Sequence, residues 1–491
     1  MRLATGMLVL ALAFPQALAQ HAAPAAAPVP AHAPVRLSLA DKPWTGDFDK
    51  MLERRMIRVL VPYSRTLYFS DKGHERGISA DLVREFEEYV NRKNRTGKRP
   101  LTVYIVPTTR DQLLQKVADG RGDIAVANLT ITPEREQIVD FAQQGHRHTV
   151  DEIVVTGAKA PPVASVDALA GMTVHVRRSS SYYESLVALN ARFTGEGKPE
   201  VTLRLVPDAL EDEEMMEMAN AGLIDVLIVD DWKAKIWGQV LPKVVVHDDI
   251  AVHEEGHLGW AIRKDSPKLA AAIEEYFSKY ARANASYDYR LAQVLRRVKQ
   301  MNNPTQAADW KRFQEIREIF EHYGGQYGFD PLMLAAQGYQ ESQLDQSAKS
   351  QVGAIGVMQL MPDTGAEMGV GDIHLVEANI HAGAKYMDML MTQYFSDAHF
   401  SEGNRPLFAF ASYNAGPGNI ARMRREAEKR KLDPDKWFNN VEIVVAEKIG
   451  AETTTYVRNI YKYYVAYRLT LEAQEAAKQA RDSLTKDATP Q

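Results

Sequence analysis

Among the residues able to do chemistry one stretch stands apart: Gln340-Glu341-Ser342, then Ser350, then Gly353-Ala354-Ile355-Gly356-Val357-Met358-Gln359-Leu360-Met361-Pro362. The apolar run from Pro331 to Gly338 predicts a helix that delivers Glu341 to its C-terminal end, and the Gly-rich turn then folds apolar residues back over it. Low dielectric disfavours an ionised carboxylate, so a glutamate walled by Ile, Val, Met and Leu keeps its proton near neutral pH and can act as a general acid. Spacing alone favours the ordinary reading of a helix-end glutamate, a cap or a surface residue. Asp345 lies in a polar run and reads as turn chemistry, leaving Glu341 without a partner carboxyl in this stretch.

The elements around it read as two constructions. From Met56 onward, alternation at Ile57, Val59 and Val61, a helical face with Leu82, Phe86, Tyr89 and Val90, and renewed alternation at Leu101, Val103 and Ile105 give strand, helix, strand. A second set follows with strands at Val174 and Val176, at Leu203 and Leu205, and from Asp225 to Val229. Two α/β sets joined in mid-chain imply two lobes with a cleft between them. The amphipathic stretch Leu269 to Tyr280 closes this module, a basic segment from Tyr287 to Met301 reads as a connecting helix, and Asn302-Asn303-Pro304-Thr305 marks a boundary. Beyond it Trp310, Phe313, Ile316, Ile319 and Phe320 share one helical face, and the remainder is nearly all helix. The basic run from Arg422 to Lys431 is interspersed with Glu426 and Glu428 and reads as a solvated helix.

Five ordered motifs carry a resemblance. Tyr327-Gly328-Phe329-Asp330-Pro331, Glu341-Ser342, Ser350 with Gly353 to Gln359, Ser412-Tyr413-Asn414-Ala415-Gly416, and Glu452-Thr453 with Tyr456-Val457 resemble the soluble-lytic-transglycosylase family, whose fold is lysozyme-like. Val357 and Ser412 are small departures, standing where that family commonly has Leu and Ala. The resemblance implies a lone Glu341 that first protonates the glycosidic oxygen between N-acetylmuramic acid and N-acetylglucosamine, then deprotonates the muramyl C6 hydroxyl. That hydroxyl closes a 1,6-anhydro ring without water. It also implies that Ser350 and Gln359 hydrogen-bond the sugar, that Met358 and Met361 wall the cleft, and that Tyr413 and Asn414 contact the muramyl residue. Glu452 is expected to hydrogen-bond Tyr413 or to orient its helix, with Tyr456 packed nearby.

In the first module Gly77 with Asp81-Leu82, Gly122-Asp123-Ile124, Asn128 to Arg135 and Asp140-Phe141 resemble the first lobe of the family-3 solute-binding domains. Arg178 to Ser181 and Asp230 fall where that family's second lobe meets ligand. On this resemblance Arg135 grips a ligand carboxylate, Ser180 and Ser181 add donors at a helix start, Asp230 pairs an ammonium, and Asn128 and Thr130 complete the site. The plainer alternatives are a surface cation for Arg135 and a helix cap for Asp230. Pro62, Tyr63 and Arg65 depart from the usual polar and aromatic set of transport receptors.

The expected fold class is a bilobed α/β periplasmic-binding-protein fold followed by a mainly α lysozyme-like domain. Arg2, the apolar run Met7 to Phe14, Pro15 and Ala17-Leu18-Ala19 read as a signal peptide over 1–19, followed by a Pro/Ala-rich linker over 20–45. The binding module is expected over 46–285, with its second lobe at about 157–250, then a connecting segment over 286–308, the catalytic domain over 309–470 and a tail over 471–491. A net charge of -5 and the lack of nucleic-acid motifs argue against a nucleic-acid partner, and the absence of Cys removes disulfides, thiol catalysis and Cys-ligated metal. No cofactor or metal is expected. The expected partners are peptidoglycan glycan strands and, in the first module, an amino acid or muropeptide whose binding regulates access to Glu341. The expected place is the periplasm, soluble or held peripherally at the outer membrane. Two rival readings are a receptor with an inactive wall-binding lysozyme-like domain, and a muramidase that hydrolyses with water.

Overall fold

The computed structural model describes residues 43–71, 74–96, 99–143, 149–280 and 302–487. The expected export segment, nearly all of the Pro/Ala-rich linker and the expected connecting helix lie outside these residues.

The first lobe comprises α1 (Phe48–Arg54), β1 (Met56–Val61), the β2 (Phe69–Asp71) and β3 (His74–Arg76) hairpin, α2 (Ile78–Lys93), β4 (Thr102–Pro107), α3 (Leu113–Ala118), β5 (Ile124–Thr130), α4 (Pro133–Glu136) and β6 (Asp140–Gln143). Strand β1 lies parallel between β4 and β5. It is buried along nearly its whole length, as a strand covered on both faces must be. The second lobe holds β7 (Thr149–Thr156), β8 (Thr173–Arg177), α5 (Ser181–Gly195), β9 (Thr202–Val206), α6 (Asp212–Asn220), β10 (Val226–Asp230) and α7 (Asp231–Gly238). An 18-residue strand, β11 (Val245–Ile262), then returns through both lobes. Its first part pairs antiparallel with β7 and its last residues with β5 and β6, with three register shifts between His247 and Gly256 where the chain turns from one sheet into the other. Helix α8 (Pro267–Lys279) packs Leu269, Ile273 and Tyr276 into the first lobe's aromatic core beside Phe86 and Trp260.

The helical module runs α9 (Ala307–Tyr327), α10 (Pro331–Ser342), α11 (Pro362–Met368), α12 (Val376–Tyr394), α13 (Arg405–Ala415), α14 (Pro417–Lys429), α15 (Glu442–Lys448) and α16 (Ala451–Asp487). In α14 the expected solvated basic helix is only partly so, because Arg424 is buried and pairs with Asp397 and Asp435. One apolar cluster joins second-lobe residues Met215, Met216, Met218 and Trp237 to Phe313, Phe320, Met333 and Phe408 of the helical module.

Buried charge follows the same seam. Arg458 on α16 donates to Glu442 at 2.6 Å and reaches Glu214 on α6 at 3.3 Å, while Lys462 pairs with Glu217 on α6. Arg65 from the first lobe closes on the same Glu217 at 2.8 Å. Burial opposes ionisation of Glu217, but Arg65 and Lys462 overcome it and hold its pKa below the usual carboxylate value.

Candidate active site

Helix α10 is built to end at Glu341. Asp330 caps its start by accepting from Leu332 N at 2.8 Å, Pro331 fills the first turn, and Gln343 and Leu344 take left-handed φ of 57° and 60° at its close. Gly338 lets the next loop approach, since a Cβ there would sit 2.9 Å from Val357 Cγ1. Ser342 Oγ donates to Val357 O at 2.9 Å, tying the loop back beside the glutamate. The loop curls through bridges Lys349↔Ile355 and Ile355↔Leu360 and is pinned by Asn379 of α12. Asn379 accepts from Met358 N at 2.8 Å and donates to Ile355 O and Ile373 O at 3.0 Å each.

Tyr456 of α16 donates its hydroxyl to Glu341 Oε1. Burial pushes the Glu341 carboxyl up to about 7, and the Tyr456 bond pulls it partly back; among the described residues no charged group enters that balance. The Tyr456 and Tyr413 hydroxyls are themselves driven well above the phenol range, first by burial and then by the neighbouring Glu341 charge. A protonated carboxyl near neutral pH, held by a phenol that stays a donor, is the equipment of a general acid that can later take a proton back.

The other expected site residues fall into three groups. Tyr413 is brought to the site, donating to Met358 O at 2.6 Å and meeting Tyr386 edge-on at 5.5 Å. Ser350 and Gln359 lie in the loop, with Ser350 Oγ accepting from Ala354 N at 2.9 Å and Gln359 Nε2 donating to Gly356 O at 2.9 Å, so in this state they brace the loop. Asn414 is exposed and accepts from Thr453 Oγ1 at 2.9 Å, and Met361 is 43% exposed. Two expectations are corrected. Glu452 is exposed in the first turn of α16 and does not hold Tyr413, whose hydroxyl goes to the Met358 carbonyl instead. Met358 does not wall the cleft: its side chain is fully buried and packs against Gly383 of α12. The turn reading of Asp345 agrees with its acceptance from Ser347 N at 2.8 Å. Sequence reasoning missed Asn379, a lone amide on an apolar helix face, and Gln337, fully buried one turn before Glu341.

In the first module the six expected residues converge on one cleft, together with Arg110, Arg177, Tyr182, Asp212 and Lys233. Arg135 is buried, which removes the surface-cation reading; it donates to Glu184 at 3.0 Å and to Thr130 O at 3.2 Å. Asp230 starts α7 without any side-chain cap bond; it accepts from Asn128 across the lobes at 2.9 Å and pairs with Lys233 at 2.9 Å. Ser180 caps α5 through Tyr183 N, and Ser181 Oγ reaches Thr130 Oγ1 at 3.3 Å.

Residues 318–436 match the family described as Transglycosylase SLT domain, and residues 57–289 match Bacterial extracellular solute-binding proteins, family 3. The first match spans the greater part of the helical module and the second spans the two lobes. It is similar to the membrane-bound lytic murein transglycosylase F of Desulfosudis oleivorans, at 28% identity over 84% of this chain and 90% of that one. The protein of the same name in Pseudomonas fluorescens is 26% identical over 86% of each chain. An ancestral arginine-binding protein bound to arginine covers 49% of this chain at 20% identity, with a TM-score of 0.39. Glu341 and Tyr413 lie within the matched SLT segment, whereas Tyr456 lies beyond it. Among the described residues no helix is long and apolar enough to cross a membrane, and no group of three or more metal-ligating side chains occurs.

Proposed function

We propose that the chain is a peptidoglycan lytic transglycosylase with a regulatory solute-binding module, and that Glu341 works alone. The observation that carries this reading is a half-buried carboxyl at the end of α10 whose pKa is raised by loss of water and lowered by one tyrosine, with no second acid among the described residues in the balance. Hydrolysing glycosidases use two carboxyl groups, the second serving as nucleophile or positioning water. An internal attack needs neither: Glu341 gives its proton to the bridging oxygen, the substrate acetamido oxygen supports C1 as the leaving sugar departs, and the Glu341 carboxylate takes the proton of the muramyl C6 hydroxyl as O6 bonds C1. Acid-base work of this kind contributes ~10²–10⁴-fold. Tyr413, Asn414, Met361 and the Ser350 to Gln359 loop are the substrate-facing set.

Mass spectrometry of products from purified wall is the test. Anhydro ends, one water lighter than hydrolytic ends, are expected, and reducing ends alone would overturn the mechanism in favour of a muramidase. For the first module we propose a ligand with a carboxylate for Arg135, and a bias on the Glu341 cleft carried across the α6 and α16 seam. Wall turnover with and without added muropeptide, in wild type and Arg135→Ala, tests it; four equal rates would sink the coupling. The place of action that suits this substrate is the periplasm, with peripheral attachment at the outer membrane.

A further inference from the structure

The cleft of the first module already holds two ions arranged as a ligand's would be. A zwitterionic ligand needs a cation for its carboxylate and an anion for its ammonium. The cation, Arg135, faces the Glu184 carboxylate from the opposite lobe, and the anion, Asp230, faces the Lys233 ammonium. The two internal ions are not equivalent. Lys233 is 4% exposed on the cleft floor and is shared with Asp212 at 2.6 Å, whereas the Glu184 side chain is 30% exposed at the rim. Glu184 Oε2 is itself buried and has no hydrogen-bond partner, so this carboxylate is held by one oxygen. Further bonds cross the lobes from Arg110 to Glu211 at 2.7 Å and from Asn128 to Asp230 at 2.9 Å. The free volume left is about 10 Å³, room for one water at most.

Resting on the proposed receptor role, we propose that this cleft takes the carboxylate of an N-acylated amino acid or peptide in exchange for Glu184, and excludes free α-amino acids because Lys233 fills the ammonium place. Rotating a rim carboxylate into water costs one partly exposed ion pair. Expelling Lys233 would leave Asp230 without a cation and Asp212 with Arg177 alone in the floor, a larger penalty. Ligand exchange therefore happens at the Arg135 end only. The same Arg135–Glu184 pair clasps the lobes, so ligand affinity is lowered by the fraction of time the clasp is shut.

Calorimetric titration of the full chain with N-acetyl-L-alanine and with L-alanine tests this, in wild type, Glu184→Gln and Arg135→Ala. The wild type is expected to prefer the N-acetyl compound by at least about tenfold, roughly 1.4 kcal/mol. Glu184→Gln is expected to tighten that ligand by at least about tenfold, and Arg135→Ala to abolish it. Lys233→Met, if it folds, is expected to shift preference toward L-alanine; the first two comparisons stand without it. L-alanine binding the wild type as well as N-acetyl-L-alanine, yet lost in Arg135→Ala, would overturn the inference and leave the receptor reading intact. Glu184→Gln binding no tighter than wild type would also overturn it. Absence of binding in every variant would remove both readings while leaving anhydro product formation untouched.

Discussion

The raised pKa of Glu341 makes the pH profile of lysis the sharpest test of its role. A carboxyl at its ordinary 4.5 would be protonated in roughly 0.3% of molecules at pH 7, whereas one at about 7 is protonated in half, a gain of roughly a hundredfold in competent acid. The rate of anhydro product release should be flat below about pH 6.5 and fall tenfold per unit above about pH 7.5. Tyr456→Phe removes the one donor to Glu341 Oε1, and that donor favours the ionised form. Its loss therefore raises the carboxyl further. A hydrogen bond to a charged group is worth about 1.5–3 kcal/mol, so the falling limb should move to higher pH by about one to two units. The plateau should drop as well, because the carboxylate needed for the second proton transfer loses its support. The assay is chromatographic quantification of anhydro muropeptides from purified wall across the pH range, with circular dichroism confirming that the variant is folded. A limb that stays in place, or moves toward acid, would refute the assignment of Tyr456 and Glu341 as an acid and its donor.

Glu341→Gln should abolish anhydro product and also stabilise the fold. A carboxyl whose folded pKa exceeds its unfolded one imposes no cost below about 4.5 and a growing one up to about 7, so thermal melts above pH 7 should show a gain of about 1–3 kcal/mol that vanishes near pH 4. Lys462→Met leaves Glu217 with Arg65 alone and should cost about 2–4 kcal/mol in a denaturant titration. Glu217→Leu strands two cations instead of one anion and should cost more, and the reverse order would contradict the seam described here. Gly356→Ala puts a Cβ 2.6 Å from Asn379 Nδ2 and Gln346 Nε2 at a φ of +76°, so a loss of about 1–3 kcal/mol and of most lytic activity is expected from melts and wall assays.

Periodicity made much of this architecture readable. Ile57, Val59 and Val61 do alternate into β1, and Leu269, Ile273 and Tyr276 do line one face of α8. Glu341 was legible because a proline-started apolar run and a Gly-rich turn bracket it. What stayed hidden is charge that is buried. Glu211, Asp212, Glu213, Glu214 and Glu217 look in sequence like a solvated acidic helix, yet all are under 5% exposed, because cations from other elements meet four of them and the Ser64 hydroxyl and Thr66 N–H meet Glu213. Glu184 and Lys233 were invisible for the same reason, since a hydrophobic period cannot say which polar residue points into a cleft. Asn379 is set by loop packing far along the chain, which no local spacing records; Tyr456 was placed near the site by its motif, but its bond to Glu341 was not.

The apolar cluster shared by Met215, Met216, Met218 and Trp237 with Phe313 and Phe320 bears on how this protein could be trimmed or recombined. The turn at Asn302 to Thr305 looks like an obvious place to cut, but a fragment starting there would carry a raw greasy flank and a stranded Lys462. Such a piece should clump. Exchange of the wall-cutting part among proteins of this design would succeed only if α6 and α7 travelled with it.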